Sequence, residues 1–138
     1  IALYTFKQFK LEPEAPMTAC ILFIDSDHAK LFKLGIDKVE TENLKRNEIQ
    51  HHTASDKDKL HKDGGHFFND VASKLKGMKE ILLVGPGLAK NHFKTHLEKH
   101  HHAELAKHIV GLETVDHPTD NQIIAVGRKF FKNYDKFN

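Results

Sequence analysis

The stretch from Glu80 to Phe93 (Glu-Ile-Leu-Leu-Val-Gly-Pro-Gly-Leu-Ala-Lys-Asn-His-Phe) restricts the fold more than any other part of the chain. Ile81 to Val84 is an unbroken apolar run, short enough for a strand and apolar enough to be buried on both faces. Gly85-Pro86-Gly87 then turns the chain, since glycine is free to take positive φ and proline fixes its own. Leu88, Ala89, Phe93 and Leu97 recur at helical spacing, so a helix follows at once. Strand, tight turn and amphipathic helix form the core of an α/β unit.

At 138 residues the chain is long enough for one domain with a sizeable core. No apolar run approaches the ~20 residues that span a bilayer, so no membrane partner is expected. The first residues lack a secretory pattern, and the single cysteine, Cys20, excludes an internal disulfide. Cys20 lies in an apolar strand and reads as an inert buried thiol. Together these point to a cytoplasmic domain. The net charge of +2 with neutral histidine is too small for a dedicated polyanion-binding surface. The twelve histidines could, however, add positive charge on mild acidification.

Residues 1–16 differ from the rest: aromatics alternate loosely with lysines until Pro13 and Pro16, and they read as an N-terminal extension to a domain over 17–138. Ala19 to Asp25 is a central strand and Ser26-Asp27-His28 a polar turn. Ala29 to Gly35 returns antiparallel, and Ile36 to Leu44 is a weaker third strand. Arg46 to Gly65 has no apolar period, and polar loops of that length are often functional. Phe67, Val71, Leu75 and Met78 mark a helix closed by Gly77. After the Gly-Pro-Gly unit come a strand over Ile109 to Val115 and a final helix running past Tyr134, capped by Thr119 or Asp120. The order β-β-β-α-β-α-β-α predicts a ribonuclease-H-like mixed five-stranded α/β sheet, helices on both faces, with the first strand central beside Ile81 to Val84.

Three segments in this order resemble one family. Ile81 to Phe93 looks like the strand-turn-helix of the middle domain of archaeal and eukaryotic peptide-chain release factors and the Pelota rescue factor. Phe23 to Phe32 (Phe-Ile-Asp-Ser-Asp-His-Ala-Lys-Leu-Phe) is similar to that domain's first hairpin. Thr114 to Gln122 resembles a stretch of small stand-alone bacterial relatives, the translational machinery proteins. The resemblance covers about residues 18–132 and implies translation-related work on the ribosome. In release factors a Gly-Gly-Gln tripeptide precedes the first long helix and positions the attacking water. Here Gly64-Gly65-His66 stands in that place, with histidine for glutamine. His66 could orient a water or act as a base; a turn at Gly64 and Gly65, with His66 in the first helical turn, is the plainer reading.

Other chemistry is weaker. A nuclease on this fold needs converging carboxylates for two Mg²⁺ ions. Asp25 is well placed and Asp116 or Asp120 could approach, but the Ile81 to Val84 strand ends without a carboxylate. Asp25 and Asp27 serve more simply as turn residues. His92, His96 and His100 are spaced four apart, as zinc ligands can be, yet no cysteine or Glu supports them; a solvent-facing stripe is the simpler reading. Gly85-Pro86-Gly87 with Lys90 could receive an anion at a helix N-terminus, although the spacing is that of no phosphate-loop motif. His117, Pro118, Thr119 and Asp120 form a polar motif that helix capping explains. No cofactor is expected.

The reading that best joins these observations is a non-enzymatic or weakly catalytic domain that binds the ribosome or structured RNA. Its contacts would come from Arg46 to His66 and the helix from Lys90 to His102. The alternatives are a metal-dependent nuclease or hydrolase on the same fold, and a protein-interaction module forming a homo-oligomer through its sheet edge or final helix.

Overall fold

A computed structural model of the chain describes residues 17–46, 66–100 and 102–137; the extension over 1–16 lies outside the described residues. Five strands, β1 (Ala19–Ile24), β2 (His28–Leu34), β3 (Val39–Lys45), β4 (Glu80–Gly85) and β5 (Ile109–Thr114), form one mixed sheet in the order β3-β2-β1-β4-β5. The helices are α1 (residues 66–74), α2 (Ala89–Lys99), α3 (Ala103–Ala106) and α4 (Asp120–Phe137). The expected meander, crossovers and central first strand are all present.

β1 sits at the centre of the sheet, between β2 and β4. It pairs antiparallel with β2, from Ala19 opposite Leu34 to Ile24 opposite Ala29. On its other side it pairs parallel with β4, from Ala19 opposite Glu80 to Phe23 opposite Val84. Cys20 to Ile24 and Ile81 to Val84 are buried without a gap. Strand alternation divides these side chains between two layers. Cys20, Leu22, Ile24, Ile81 and Leu83 pack with Phe67, Val71, Leu75, Phe93 and Leu97 of the α1–α2 side. Ile21, Phe23, Leu82 and Val84 pack with Phe32, Ile123 and Phe131, so α4 covers the opposite face. Burial pushes the Cys20 thiol up to about 12, with Lys33 opposing weakly, as befits an inert core cysteine.

Several boundaries differ from expectation, each for a local reason. β2 begins at His28, one residue early. β3 begins at Val39 because the Gly35 N–H donates to the Lys38 carbonyl at 2.8 Å, closing a turn that leaves Ile36 88% exposed at its tip. The short helix α3 was not anticipated: four residues are too few to display a period. β4 extends one residue each way, to Glu80 and Gly85, and β5 stops at Thr114, although the Val115 N–H still donates to the Gly85 carbonyl at 3.1 Å. Gly77 ends the α1 segment at φ 90, the left-handed conformation expected of it.

The Gly-Pro-Gly turn is built differently from expectation. Among the described glycines only Gly77 has positive φ, so neither Gly85 nor Gly87 is there for backbone freedom. Gly85 is a matter of close approach: a Cβ on it would run into the carbonyl oxygen of Ile24 in β1. A Cβ on Gly87 would meet nothing within 4 Å. The two glycines should therefore respond oppositely to alanine. Gly85→Ala is expected to destabilise by about 1–3 kcal/mol through overpacking against backbone. Gly87→Ala should leave stability unchanged or raise it by up to ~1 kcal/mol. Urea denaturation of the two variants measures both; equal losses would contradict this account.

Candidate functional site at the carboxyl edge of the sheet

β1, β4 and β5 run parallel, and β3, twice reversed through β2, runs with them. Their carboxyl ends therefore finish on one edge, where open α/β sheets bind ligands. Three motifs singled out in the sequence meet there: the turn after β1, Gly85 to Lys90 after β4, and Asp116 to Asp120 after β5. Arg46, at the end of β3, joins them.

The turn after β1 is organised by Asp25. Its Oδ1 accepts the backbone N–H groups of Asp27 and His28, both at 2.8 Å, and lies 3.0 Å from His28 Nδ1. The Asp25 N–H donates to the His28 carbonyl at 3.0 Å. This is the work of a turn residue, with the carboxylate half-buried and its Oδ1 engaged. Arg46 clamps the same turn from β3: its backbone N–H donates to the Asp27 carbonyl at 2.8 Å and its Nη1 to the Ser26 carbonyl at 2.9 Å. Nothing in the local sequence marked Arg46 for this, because the contact exists only once β3 lies beside β2.

After β4, Lys90 turns back on its own turn. The residue is only 5% exposed, and Nζ donates to the Gly87 carbonyl at 2.6 Å. An anion at this turn would compete with that carbonyl for the ammonium. The α2 N-terminus itself has no side-chain cap and no acid in its first turn. After β5, the exposed pair Asp116 and His117 lies 3.4 Å apart, and His117 holds φ 46 immediately before Pro118. A side chain in the left-handed region is uncommon, although histidine tolerates it better than most residues. Thr119, rather than Asp120, caps α4. The Gln122 N–H donates to Thr119 Oγ1 at 3.2 Å, and the Thr119 N–H to Gln122 Oε1 at 2.8 Å. This reciprocal capping box was legible as Thr-x-x-Gln. Asp120 instead pairs with Lys30 of β2 at 2.9 Å, linking α4 to the sheet.

The carboxylates suggested for a metal-dependent reaction are thus engaged separately: Asp25 in its turn, Asp116 with His117, and Asp120 with Lys30. Among the described residues no three His, Cys, Asp or Glu side chains are grouped to hold a metal ion. Gly64 and Gly65 lie outside the described residues; His66 is exposed in the first described turn of α1.

The histidines of α2 divide. His92 is exposed and stands apart, whereas His96 stacks on His100 with ring centroids 4.5 Å apart and lies 6.3 Å from His102. His96 Nε2 and His102 Nε2 lie 2.9 and 3.3 Å from Asn69 Oδ1 of α1, a shared acceptor. The His96 ring also meets Phe68 edge-on, with centroids 5.3 Å apart. The cluster is therefore His96, His100 and His102 with Asn69, not the helical trio His92, His96 and His100. Asn69 and His102 could not be found from spacing, because α1 and the turn after α2 supply them. Burial first, then the neighbouring His100 and His102, lowers the pKa of His96 below the ordinary histidine value.

No protein-family model and no curated protein matches the chain. Its fold is similar to that of Pelota from Archaeoglobus fulgidus, with TM-score 0.55 and 22% identity over 93% of this chain and 34% of that one. The archaeal translation termination factor aRF1 aligns with TM-score 0.55 and 16% identity, over 86% of this chain and 39% of the factor. A ribosome-bound archaeal Pelota aligns with TM-score 0.54 and 17% identity, over 92% of this chain and 38% of that one. The chain thus spans little more than a third of the length of these proteins.

Two outcomes are expected. Thr119→Ala removes one side of the capping box and should cost about 1 kcal/mol in denaturant unfolding, with α4 retained. For His96, the folded state takes its proton at lower pH than the unfolded chain. The unfolded state therefore binds more protons in that window, and stability is lost as pH falls from the ordinary histidine range through the folded value. A ring titration by NMR should place His96 below that range, and H100Q/H102Q should move it upward. No upward movement would contradict the part assigned to His100 and His102.

Proposed function

We propose that the chain is a translation-associated domain that binds the ribosome or structured RNA without performing complete release. The observation that carries this reading is the fold likeness over 86–93% of the chain to Pelota and a termination factor, one of them ribosome-bound. The sequence resemblance of Ile81 to Phe93, Phe23 to Phe32 and Thr114 to Gln122 points the same way, and the carboxyl edge is where these segments gather. In this reading the segment from Arg46 to His66, anchored at Arg46 to the turn after β1, approaches the ribosome. Gly64 and Gly65 keep the backbone freedom of a release-factor tripeptide, while His66 lacks the amide that orients water there. Binding without hydrolysis is the consequence. The uncapped α2 N-terminus would receive a phosphate. The exposed or half-exposed Lys94 and Lys99 would supply further positive charge and His92 and His100 polar contacts, whereas buried Lys90 would supply none.

Contacts of this kind release counterions, so affinity falls steeply with salt. The protein should co-sediment with ribosomes at low salt and be removed by a high-salt wash. If both lysines meet phosphate, K94E/K99E should reduce the slope of log affinity against log salt by about two. Failure to sediment with ribosomes at low salt, or binding indifferent to salt, would overturn the proposal.

A further inference from the structure

The opposite, amino edge of the sheet carries a cleft of about 520 Å³ between the end of α1, α3 and the entries to β4 and β5. Its size is that of a small-molecule site, for which ~300–1,000 Å³ is usual. Ala72, Met78 and Leu105 give it an apolar floor. Lys76 and Lys79 stand at one rim, exposed and without a carboxylate partner among the described residues. His102 and His108, both half-buried, stand on the α3 side. The acid at the mouth, Glu104, is paired with Lys107, whose Nζ lies 2.9 Å from Oε1. Two carbonyls of the turn under the cleft are engaged within the turn itself. The Leu75 N–H donates to the Ala72 carbonyl at 3.1 Å and the Met78 N–H to the Leu75 carbonyl at 3.0 Å.

We infer that this cleft binds a small organic acid, an apolar body resting on Ala72, Met78 and Leu105 with its anionic group held between the lysine rim and the two histidines. Charge complementarity selects that class. The positive rim attracts a negative group over a neutral one, and a bare inorganic anion would leave the apolar floor wet. The end of α2, with Lys99 and His100, lies near the His102 side of the cleft, but the rim lysines Lys76 and Lys79 belong to neither segment proposed to meet RNA, so substituting them tests the cleft apart from that reading.

The probe is naphthalene-1-sulfonate, compared with the uncharged 1-naphthalenemethanol, in NMR titrations of the full chain. The sulfonate is expected to shift the Met78 and Leu105 methyl signals saturably and to bind at least ~5-fold more tightly than the alcohol. K76E/K79E, at exposed positions, should weaken the sulfonate about tenfold while leaving the alcohol and the thermal melt unchanged. Equal affinity for the two probes, shifts centred elsewhere, or sulfonate binding unaffected by K76E/K79E would each overturn the assignment. Ribosome co-sedimentation of K76E/K79E separates the readings: it should match the unsubstituted protein.

Discussion

β1 and β4 lie side by side in the same direction with every side chain from Cys20 to Ile24 and from Ile81 to Val84 withdrawn from water. Full burial of each large apolar side chain contributes about 1.5–3 kcal/mol, and no other adjacent pair of elements concentrates so much of it. The rest of the molecule is placed by that pair. Because both faces must be covered, α1 and α2 go to one side and α4 to the other. Parallel pairing also requires a crossover between β1 and β4, and that crossover contains the polar segment after Arg46.

The same pairing explains the close fits around it. Ile24 approaches β4 so tightly that position 85 cannot carry a Cβ, and α4 lies on the sheet where Gly127 meets the side chain of Ile21. On β5, a Cβ at Gly111 would stand 2.7 Å from the Phe130 ring. Glycine at these places is a matter of room between neighbouring elements, not of turn geometry. The candidate edge inherits this rigidity: strands fixed in the core end at Ile24, Gly85 and Thr114, so the turns that follow start from fixed positions.

Legibility in the sequence followed the range of the interaction. The five strands, their order and the central place of β1 could be read because apolar runs and alternation report burial directly. The capping box at Thr119 and Gln122 and the turn role of Asp25 were readable for a similar reason, since each joins residues only a few positions apart. The clamp from Arg46 spans 20 residues and the pair Lys30–Asp120 spans 90, and neither leaves a local mark. Lys90 was a candidate to meet an anion from its place beside the Gly-Pro-Gly turn, yet its amine serves the carbonyl three residues earlier. The histidine cluster was half visible: spacing suggested neighbours along α2, while the partners that decide its chemistry come from α1 and from beyond the helix end.

Cys20 is the sole sulfhydryl of the 138 residues, and it is wholly enclosed in the middle strand. Alkylating reagents reach it only once the α1–α2 layer that covers its face of the sheet moves away. Its labelling rate in native buffer is therefore a clock for the opening of that layer, read at a single atom and with no engineered tag.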